Sequence, residues 1–388
     1  MLLWHEHKAK VVVVSKYKVI DLFSGAGGFT QGFVDAGFEP VLAVEREKDI
    51  AATYAANFGS HVVARDIESL SETIDAGKFN LRADVVVGGP PCQGFSNLTG
   101  NRAGDPRRSL WRYFMNVVEA SDCRVFVVEN VPNMITSNEA QMLIKRAGKL
   151  GFRIDSGSVG VLLASDFGVP QNRRRGFIIG SRLGACGLPE PTTRNKKVSV
   201  WDAFEGIDPK VSYIDPPVVR PLLTKQLHIG RKPQPKSVLR YKAIGPGGNR
   251  TQIPPDLMPD CWKNKQGGTD LFGRLEWDGP ARCTIRTEFF KPEKGRYLHP
   301  VANRPITHWE AARLQTFPDD FKWHGTKIRI ALQIGNAVPP LLARAIADHV
   351  KKHLRVNKVR PTRRPKASDV QQLCLPLGQR ESGASRAA

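Results

Sequence analysis

The stretch from Asp84 to Ser96 constrains the fold of this chain more than any other, and it reads Asp-Val-Val-Val-Gly-Gly-Pro-Pro-Cys-Gln-Gly-Phe-Ser. Three consecutive valines predict a buried strand, and the glycines and prolines that follow end it in a rigid turn. The turn presents the thiol of Cys92 at the carboxyl edge of the strand, where open α/β sheets bind ligands. A lone cysteine more often caps a core strand as an inert residue, but this setting favours a nucleophile.

The segment Gly89-Pro-Pro-Cys-Gln-Gly-Phe-Ser96 resembles the catalytic loop of the cytosine-C5 DNA methyltransferases. Matches to the other motifs of that family follow in family order from Asp21 to Pro340. The chain is therefore similar to methyltransferases of the bacterial restriction-modification type. The resemblance implies an α/β fold, with a Rossmann-like S-adenosylmethionine-dependent methyltransferase sheet and a second, irregular target-recognition domain.

Residues 18–36 predict a first strand, a glycine-rich turn and a helix. Such a turn lets the backbone approach a cofactor closely. A dinucleotide fingerprint would need glycine where this chain has Thr30, so nicotinamide and flavin binding are disfavoured. The resemblance instead implies an S-adenosylmethionine loop in which Phe23, Ser24 and Gly25 lie nearest the cofactor.

Acidic residues follow the second and third predicted strands. Glu45 ends a strand predicted over residues 40–44 and is placed to accept hydrogen bonds from ribose hydroxyls, although a solvated surface carboxylate is the alternative. Asp66 and Ile67 follow a strand predicted over residues 61–64 and suit the two sides of an adenine ring. The family usually has glycine before that aspartate, where this chain has an arginine. The other cofactor residues implied by the resemblance are Pro90, Leu110, Asn336 and Val338.

Three charged side chains complete the predicted catalytic set. Glu129 follows a strand predicted over residues 125–128, so its carboxyl converges on the edge that carries Cys92; capping the next helix is the alternative. Arg173 and Arg175 occupy alternate positions at the entry to a further strand, and so share one face. They could form a generic basic patch, but the resemblance assigns them to the active site.

The chemistry implied by the resemblance gives each of these groups a task. Cytosine C5 is a poor nucleophile, and addition of the Cys92 thiolate at C6 makes it able to accept a methyl group. Glu129 would then act at N3, while the two arginines stabilise developing charge and the phosphate backbone. The target base must leave the stacked duplex for this chemistry. S-adenosylmethionine is the expected methyl donor, and no metal is expected.

A change in composition and the resemblance together predict the domain organisation. We expect residues 16–181 to form the first part of the catalytic and cofactor domain and residues 182–300 to form a target-recognition domain. The resemblance implies that residues 301–354 are the returning part of the catalytic domain. The middle segment is rich in proline, glycine and basic residues and has weak periodicity. Residues 355–388 read as a basic, disordered tail.

A formal net charge of +21 and a pI near 9.9 predict a polyanionic partner, here double-stranded DNA. No apolar run is long enough to indicate a membrane span, and no signal peptide is predicted, so we expect a cytoplasmic protein associated with the nucleoid. We also expect the protein to be a monomer. The six cysteines form no CxxC pair, which disfavours a structural zinc site. An RNA cytosine methyltransferase and a catalytically silent DNA-binding module remain the alternatives.

Two further partners are candidates. A restriction endonuclease acting on the same site would accompany a methyltransferase of this type. In the tail, Gln372–Leu377 is similar to the short Gln-Leu-x-Leu peptides by which bacterial proteins dock on the replication sliding clamp. A chance apolar patch, or a strip that packs on the parent domain, is the favoured alternative because hexapeptide matches are frequent false positives.

Overall fold

A computed structural model of the chain describes residues 17–75, 81–91, 109–193, 196–214, 220–263, 267–268, 270–362, 365, 370 and 373. The chain divides into two compact units. The first unit consists of Met1–Leu162, Arg174–Glu190 and Ala343–Ala388, and the second of Leu163–Arg173 and Pro191–Leu342.

A single sheet is the centre of the first unit. Its strands in chain order are β1 (Tyr17–Leu22), β2 (Phe38–Glu45), β3 (Val62–Ala64), β4 (Val85–Gly88), β5 (Val125–Asn130), β6 (Val159–Leu163) and β7 (Arg174–Ser181). Within the described residues these seven strands lie in the order β3-β2-β1-β4-β5-β7-β6. The pairs from β3 to β5 are parallel, and β7 runs antiparallel to β5. The predicted α/β class is therefore confirmed.

The strands form because their sequences suit burial on both faces. Every residue of β4 is buried, and β1 and β5 are buried at all but one position each. Parallel strands covered by helices on both sides read as near-continuous apolar runs, which is the pattern of the three valines in β4. The core of the unit packs side chains of these strands against the helices that connect them.

Helices connect the strands of the first unit and occur as short pieces in the second. In chain order they are α1 (Gly28–Asp35), α2 (Lys48–Phe58), α3 (Ile67–Asp75), α4 (Leu110–Ala120), α5 (Asn138–Lys149), α6 (Val200–Phe204), α7 (Pro235–Lys242), α8 (Asp260–Lys263), α9 (His308–Leu314), α10 (Lys327–Asn336) and α11 (Pro340–Val356). The second unit also contains an antiparallel strand pair, β8 (Leu222–Leu223) and β9 (Lys322–Trp323).

Residues 304–319 of the sequence predict a helix that stops at Pro318, but the helix formed there ends earlier. A capping box between Thr307 and Glu310 starts α9, but the helix ends at Leu314, and Thr316 has a φ of 65°. A left-handed conformation at that position cannot continue a right-handed helix. Local backbone geometry, rather than the proline, therefore ends α9.

Buried arginines hold the irregular backbone of the second unit. Arg274 donates hydrogen bonds to the carbonyl oxygens of Tyr241, Ile244 and His299, and it is 3% exposed. Arg304 pairs through two bonds with the buried Glu310 carboxylate. Burial tends to raise the pKa of Glu310, but the bonds and charge of Arg304 outweigh it and lower that pKa. Where helix and sheet ladders are short, buried carbonyl groups need such side-chain donors.

The compact units divide the chain differently from the functional domains predicted from sequence. Residues 301–342, predicted to return to the catalytic domain, lie in the second compact unit, and residues 182–190 lie in the first. The tail was expected to be disordered, but its described residues contact other parts of the first unit. The Thr362 amide donates to the Asp84 carboxylate, and the side chain of Leu373 is fully buried. The functional boundaries themselves stay a prediction.

One stretch of the described residues, Lys327–Val356, is long and apolar enough to cross a membrane when only length and composition are considered. Its most apolar window is 61% buried inside the protein. Core helices of globular proteins meet the same criteria, and this burial is typical of them.

Gly32 allows α1 and α11 to pack in direct backbone contact. A Cβ at that position would clash with the backbone of Arg344 and the side chain of Ala343. We expect Gly32→Val to lower the free energy of unfolding by about 2 kcal/mol, because an overpacked core must shift. Gly148→Ala in α5 is the control: its Cβ would meet nothing within 4 Å, so stability should rise by about 0.5–1 kcal/mol. Urea unfolding measures both, and a fully stable Gly32→Val protein would contradict the close packing.

Asp21 is a buried carboxyl at the end of β1. It accepts a hydrogen bond from the Thr30 hydroxyl at 2.6 Å. The same Thr30 hydroxyl lies 3.1 Å from the hydroxyl of Tyr54. Burial raises the pKa of Asp21 to about 7, and the bonds from Thr30 oppose this only in part. In the folded protein this carboxyl therefore keeps its proton to a pH about three units higher than in the unfolded chain.

The raised pKa of Asp21 predicts how stability depends on pH. Between pH 4 and 7 the folded state binds up to one more proton than the unfolded state at this group. The contribution of Asp21 to stability is therefore fully present below pH 4 and is lost as the pH rises through 7. A shift of three units corresponds to about 4 kcal/mol. Asp21→Asn should lack this component, so the free energies of unfolding of the two proteins should diverge between pH 4 and 8. Parallel pH profiles from urea unfolding would show that Asp21 ionises normally.

Candidate active site

The carboxyl ends of four parallel strands meet at one edge of the sheet. Leu22 of β1 lies level with Val44 of β2 and with Gly88 of β4, and Gly88 lies level with Val128 of β5. The residues that follow each strand are therefore neighbours. They are Phe23, Ser24 and Gly25 after β1, Glu45 at the end of β2, Gly89 and Pro90 after β4, and Glu129 near the end of β5.

The glycine-rich turn after β1 is held by bonds to β2. The Ser24 amide donates to the Val44 carbonyl oxygen at 3.0 Å, and the Gly25 amide donates to Glu45 Oε2 at 3.0 Å. Phe23 and Gly25 both have positive φ, at 57° and 55°. Phenylalanine seldom adopts this conformation, and such backbone strain is concentrated at functional sites.

Glu45 serves the turn as a fixed acceptor. One carboxylate oxygen accepts from the Gly25 amide, and the other accepts from the Glu47 amide at 2.9 Å. Burial raises the pKa of Glu45, although these amide bonds work in the opposite direction. The carboxylate is therefore oriented before any ligand arrives, as the predicted contact with ribose hydroxyls requires.

The turn leaves both space and an unused polar atom, which fits a bound cofactor. Within the described residues, the buried hydroxyl oxygen of Ser24 has no hydrogen-bond partner. A Cβ placed on Gly25 would meet nothing within 4 Å. Buried polar atoms are nearly always paired, so an unpaired hydroxyl beside open space suits a polar ligand. The residues at this turn therefore fit S-adenosylmethionine.

Glu129 lies between the turn after β4 and the start of β7. A Cβ on Gly89 would lie 2.9 Å from Glu129 Oε2, so the Glu129 carboxyl lies directly against this turn. On its other side, Glu129 Oε1 is 2.9 Å from Arg175 Nε, and both side chains are largely buried. The sequence predicts a strand over residues 177–180, but β7 begins earlier, at Arg174, and so includes Arg175.

Asn130 is a positioning residue that the sequence analysis did not identify. Its side-chain amide donates to the carbonyl oxygen of Pro90 at 2.9 Å, and its Oδ1 accepts from the Val131 amide at 2.8 Å. The side chain is buried and fixes the turn that leads toward Cys92. Its place directly after Glu129 was the only available signal, because the bond to Pro90 spans 40 residues.

The other predicted residues of the first unit have varied surroundings. Cys92 lies outside the described residues. Asp66 is exposed and accepts the Ser69 amide at 2.8 Å at the start of α3, whereas Ile67 is 4% exposed and belongs to the core. Leu110 is the first residue of α4 and is half-buried. An adenine ring could therefore contact Ile67 only through its small exposed part.

Arg173 is bonded to backbone carbonyl groups of its own unit. It belongs to the second unit, is 1% exposed, and donates to the carbonyl oxygens of Ile285 and Gly335, each at 3.1 Å. A guanidinium committed to buried carbonyls favours a structural role over contact with a base or phosphate. Asn336 and Val338 also lie in the second unit, the first exposed and the second buried.

Comparisons with known proteins agree with this geometry. Residues 17–352 match the family model described as C-5 cytosine-specific DNA methylase. The chain is 37% identical to the Type II methyltransferase M1.HphI from Haemophilus parahaemolyticus, with 86% of each chain covered. It is 34% identical to the Type II methyltransferase M.XorII from Xanthomonas oryzae pv. oryzae, with 88% of this chain and 86% of that protein covered. Among solved structures, a putative DNA modification methyltransferase encoded within an E. coli prophage is similar, with a TM-score of 0.67, 27% identity, and coverage of 87% of this chain and 99% of that one.

Proposed function

Because the chain belongs to the family of C-5 cytosine-specific DNA methylases and is a DNA cytosine methyltransferase, we propose that it acts by base flipping and a covalent adduct. In this mechanism it transfers a methyl group from S-adenosylmethionine to C5 of a cytosine in a specific duplex sequence. Cys92 forms the adduct at C6 of the flipped base.

The position of Glu129 is the observation that carries this proposal. Its carboxyl lies at the carboxyl edge of the sheet, beside Gly89, and Gly89 precedes Cys92 by three residues in the sequence. The bond from Asn130 to Pro90 fixes the turn after β4. A base entering this edge would meet a carboxyl whose backbone is held within β5, beside the fixed turn that leads to Cys92, and such preorganisation is what this chemistry needs.

The proposed steps use side chains of this chain. The Cys92 thiolate adds to C6, a carbon–sulfur bond forms, and the C5–C6 electron pair becomes available at C5. Glu129 hydrogen-bonds N3, and Arg175 holds the Glu129 carboxyl in place. After C5 has taken the methyl group, water accepts the C5 proton, the C5–C6 double bond re-forms, and the Cys92 thiolate leaves with the electron pair of the carbon–sulfur bond. Arg173 would stabilise the second unit, where it binds the carbonyl oxygens of Ile285 and Gly335.

S-adenosylmethionine supplies an activated methyl group when it is bound. The Ser24 hydroxyl and the Gly25 backbone would hold it at the turn, and Glu45 would accept from its ribose. Asp66 and Ile67 are the proposed adenine contacts. Pro90, Leu110, Asn336 and Val338 complete the set implied by the family motifs. Within the described residues, no group of His, Cys, Asp and Glu is arranged to hold a metal ion.

Exposed basic residues of the second unit are the proposed contacts to duplex DNA. The charges of these exposed residues, unlike those of the buried arginines, are available to the phosphates of DNA. Contacts to phosphates supply much of the affinity of protein–DNA complexes. These residues are Lys210, Arg231, Lys232, Lys236, Lys242 and Arg286. We propose that sequence specificity resides in residues 182–300. The Type II relatives support a restriction endonuclease that acts on the same site, and action on DNA supports a cytoplasmic location.

Cys92→Ala should abolish methylation and leave S-adenosylmethionine affinity within about threefold, because the thiol forms the adduct without holding the cofactor. Transfer of a labelled methyl group to duplex DNA measures the first property, and equilibrium dialysis measures the second. Cys186→Ala is the matched control, since that half-buried thiol lies outside the proposed site. Full activity in Cys92→Ala would exclude the covalent mechanism, and preferential labelling of tRNA by the wild-type protein would favour the RNA methyltransferase alternative.

Exchange of residues 182–300 for the corresponding segment of a Type II relative should transfer the recognised DNA sequence. The segment carries exposed cations and few family motifs, so it is free to vary with specificity. Bisulfite sequencing of a methylated plasmid identifies the modified sites. An exchanged, active protein that still modifies the original sequence would place specificity elsewhere.

A further inference from the structure

Described residues of the tail are fixed at the amino edge of the sheet. After α11, the carbonyl oxygen of Val359 accepts a hydrogen bond from the Tyr17 hydroxyl at 3.3 Å. The Thr362 amide and hydroxyl both donate to the carboxylate of Asp84, which also accepts the Lys18 amide at 2.7 Å. Asp84 is fully buried, so these donors satisfy a carboxylate that would otherwise be costly to bury. The tail thus connects the starts of β1 and β4.

Farther along the tail, Leu373 enters the core of the first unit. Its side chain is fully buried in the same apolar cluster as Ile67 and Leu70 of α3, and Val370 packs against that cluster. Burial of one leucine removes substantial apolar surface from water, so docking of the tail is favourable in itself. The core that contains the amino-terminal part of α3 therefore also includes a residue more than 300 positions away in the sequence.

Arg65 connects Leu373 with the start of α3. Its Nη1 donates to the Leu373 carbonyl oxygen at 3.4 Å, and its Nη2 donates to the Ser69 carbonyl oxygen at 3.2 Å and to the Ser69 hydroxyl. Ser69 in turn donates its amide to the Asp66 carboxylate at 2.8 Å. The arginine that stands where the family motif usually has glycine is therefore the link between the tail and Asp66.

From these contacts we propose that the tail, through its described residues Val359, Thr362, Val370 and Leu373, acts as a strap. The strap positions Asp66 and Ile67 for the cofactor, with Arg65 as the positioning residue. The inference rests on the proposed function, in which that pair contacts adenine. Docking of Leu373 and the bonds of Arg65 hold the first turn of α3 in its binding geometry. The strap therefore raises affinity for S-adenosylmethionine without contacting it.

Three variants remove the strap in graded ways: Arg65→Ala, Leu373→Ala, and a chain that ends at Lys358. We expect each to raise the KM for S-adenosylmethionine about tenfold, while kcat at saturating cofactor and the KM for DNA stay within twofold. A loss of folded protein alone would lower kcat and leave both KM values unchanged. The split between the parameters therefore separates positioning from general stability.

Two controls match these variants. Arg82→Ala removes an exposed arginine of the first unit that has no part in the strap, and a chain ending at Cys374 keeps Leu373 but lacks Leu375 and Leu377. Both should retain the wild-type KM for S-adenosylmethionine. Thermal unfolding followed by circular dichroism checks that each variant is folded, and Arg65→Ala provides the test if the shortened chain does not fold.

An unchanged KM for S-adenosylmethionine in folded Arg65→Ala and Leu373→Ala would overturn the strap. The same holds if purified sliding clamp captures the wild-type protein but not Leu373→Ala while the KM stays unchanged, because Leu373 would then serve an external partner. A wild-type protein that binds no S-adenosylmethionine would instead contradict the proposed function. Failure of the strap and failure of the function thus give different results.

Discussion

The close approach of β1 and β4 is the constraint on which the active site depends. Gly88 lies level with Leu22, and a Cβ there would clash with the Leu22 carbonyl oxygen. The two strands therefore leave the sheet side by side, so that the cofactor turn and the turn toward Cys92 begin at the same level. Because β5 continues the parallel register, the carboxyl of Glu129 lies at that level too. Buried apolar strands fix this arrangement, and the polar groups at their ends need only short turns to meet.

Much of this edge could be predicted from sequence because its signals are local. Valine runs mark β4 and β5, and Gly-Gly-Pro-Pro marks the turn between Gly88 and Cys92. The side-chain bonds of three residues were not predicted, because their partners lie far away in the sequence. Asn130, Arg173 and Arg65 bind groups that are 40, 112 and 308 residues away, respectively. A side-chain donor that satisfies a distant carbonyl leaves no periodic pattern in the sequence. The end of α9 was predicted too late in the chain for a related reason, because a threonine does not indicate the left-handed conformation that Thr316 adopts.

The charge of the chain has two structural meanings. A net charge of +21 predicts a polyanionic partner, yet arginines 173, 274, 296 and 304 are nearly inaccessible and bind carbonyl groups or a buried carboxylate. They replace regular secondary structure as the source of hydrogen bonds in the second unit. Arginine suits this task because it stays charged and presents donors in a planar fork. Composition therefore overstates the number of cations that face a ligand, and exposure has to be known before a DNA-contacting surface is assigned.

The strap also sets an order for biosynthesis. Asp84 is made early, but its partner Thr362 follows 278 residues later, after the whole second unit has left the ribosome. Until this last segment emerges, the Asp84 carboxylate lacks its bonds from Thr362 and the position of Leu373 in the core is unfilled. Shorter nascent chains lack both contacts, and contacts of such long sequence separation form slowly. Translation of the final segment therefore completes the unit whose first strands were made earliest.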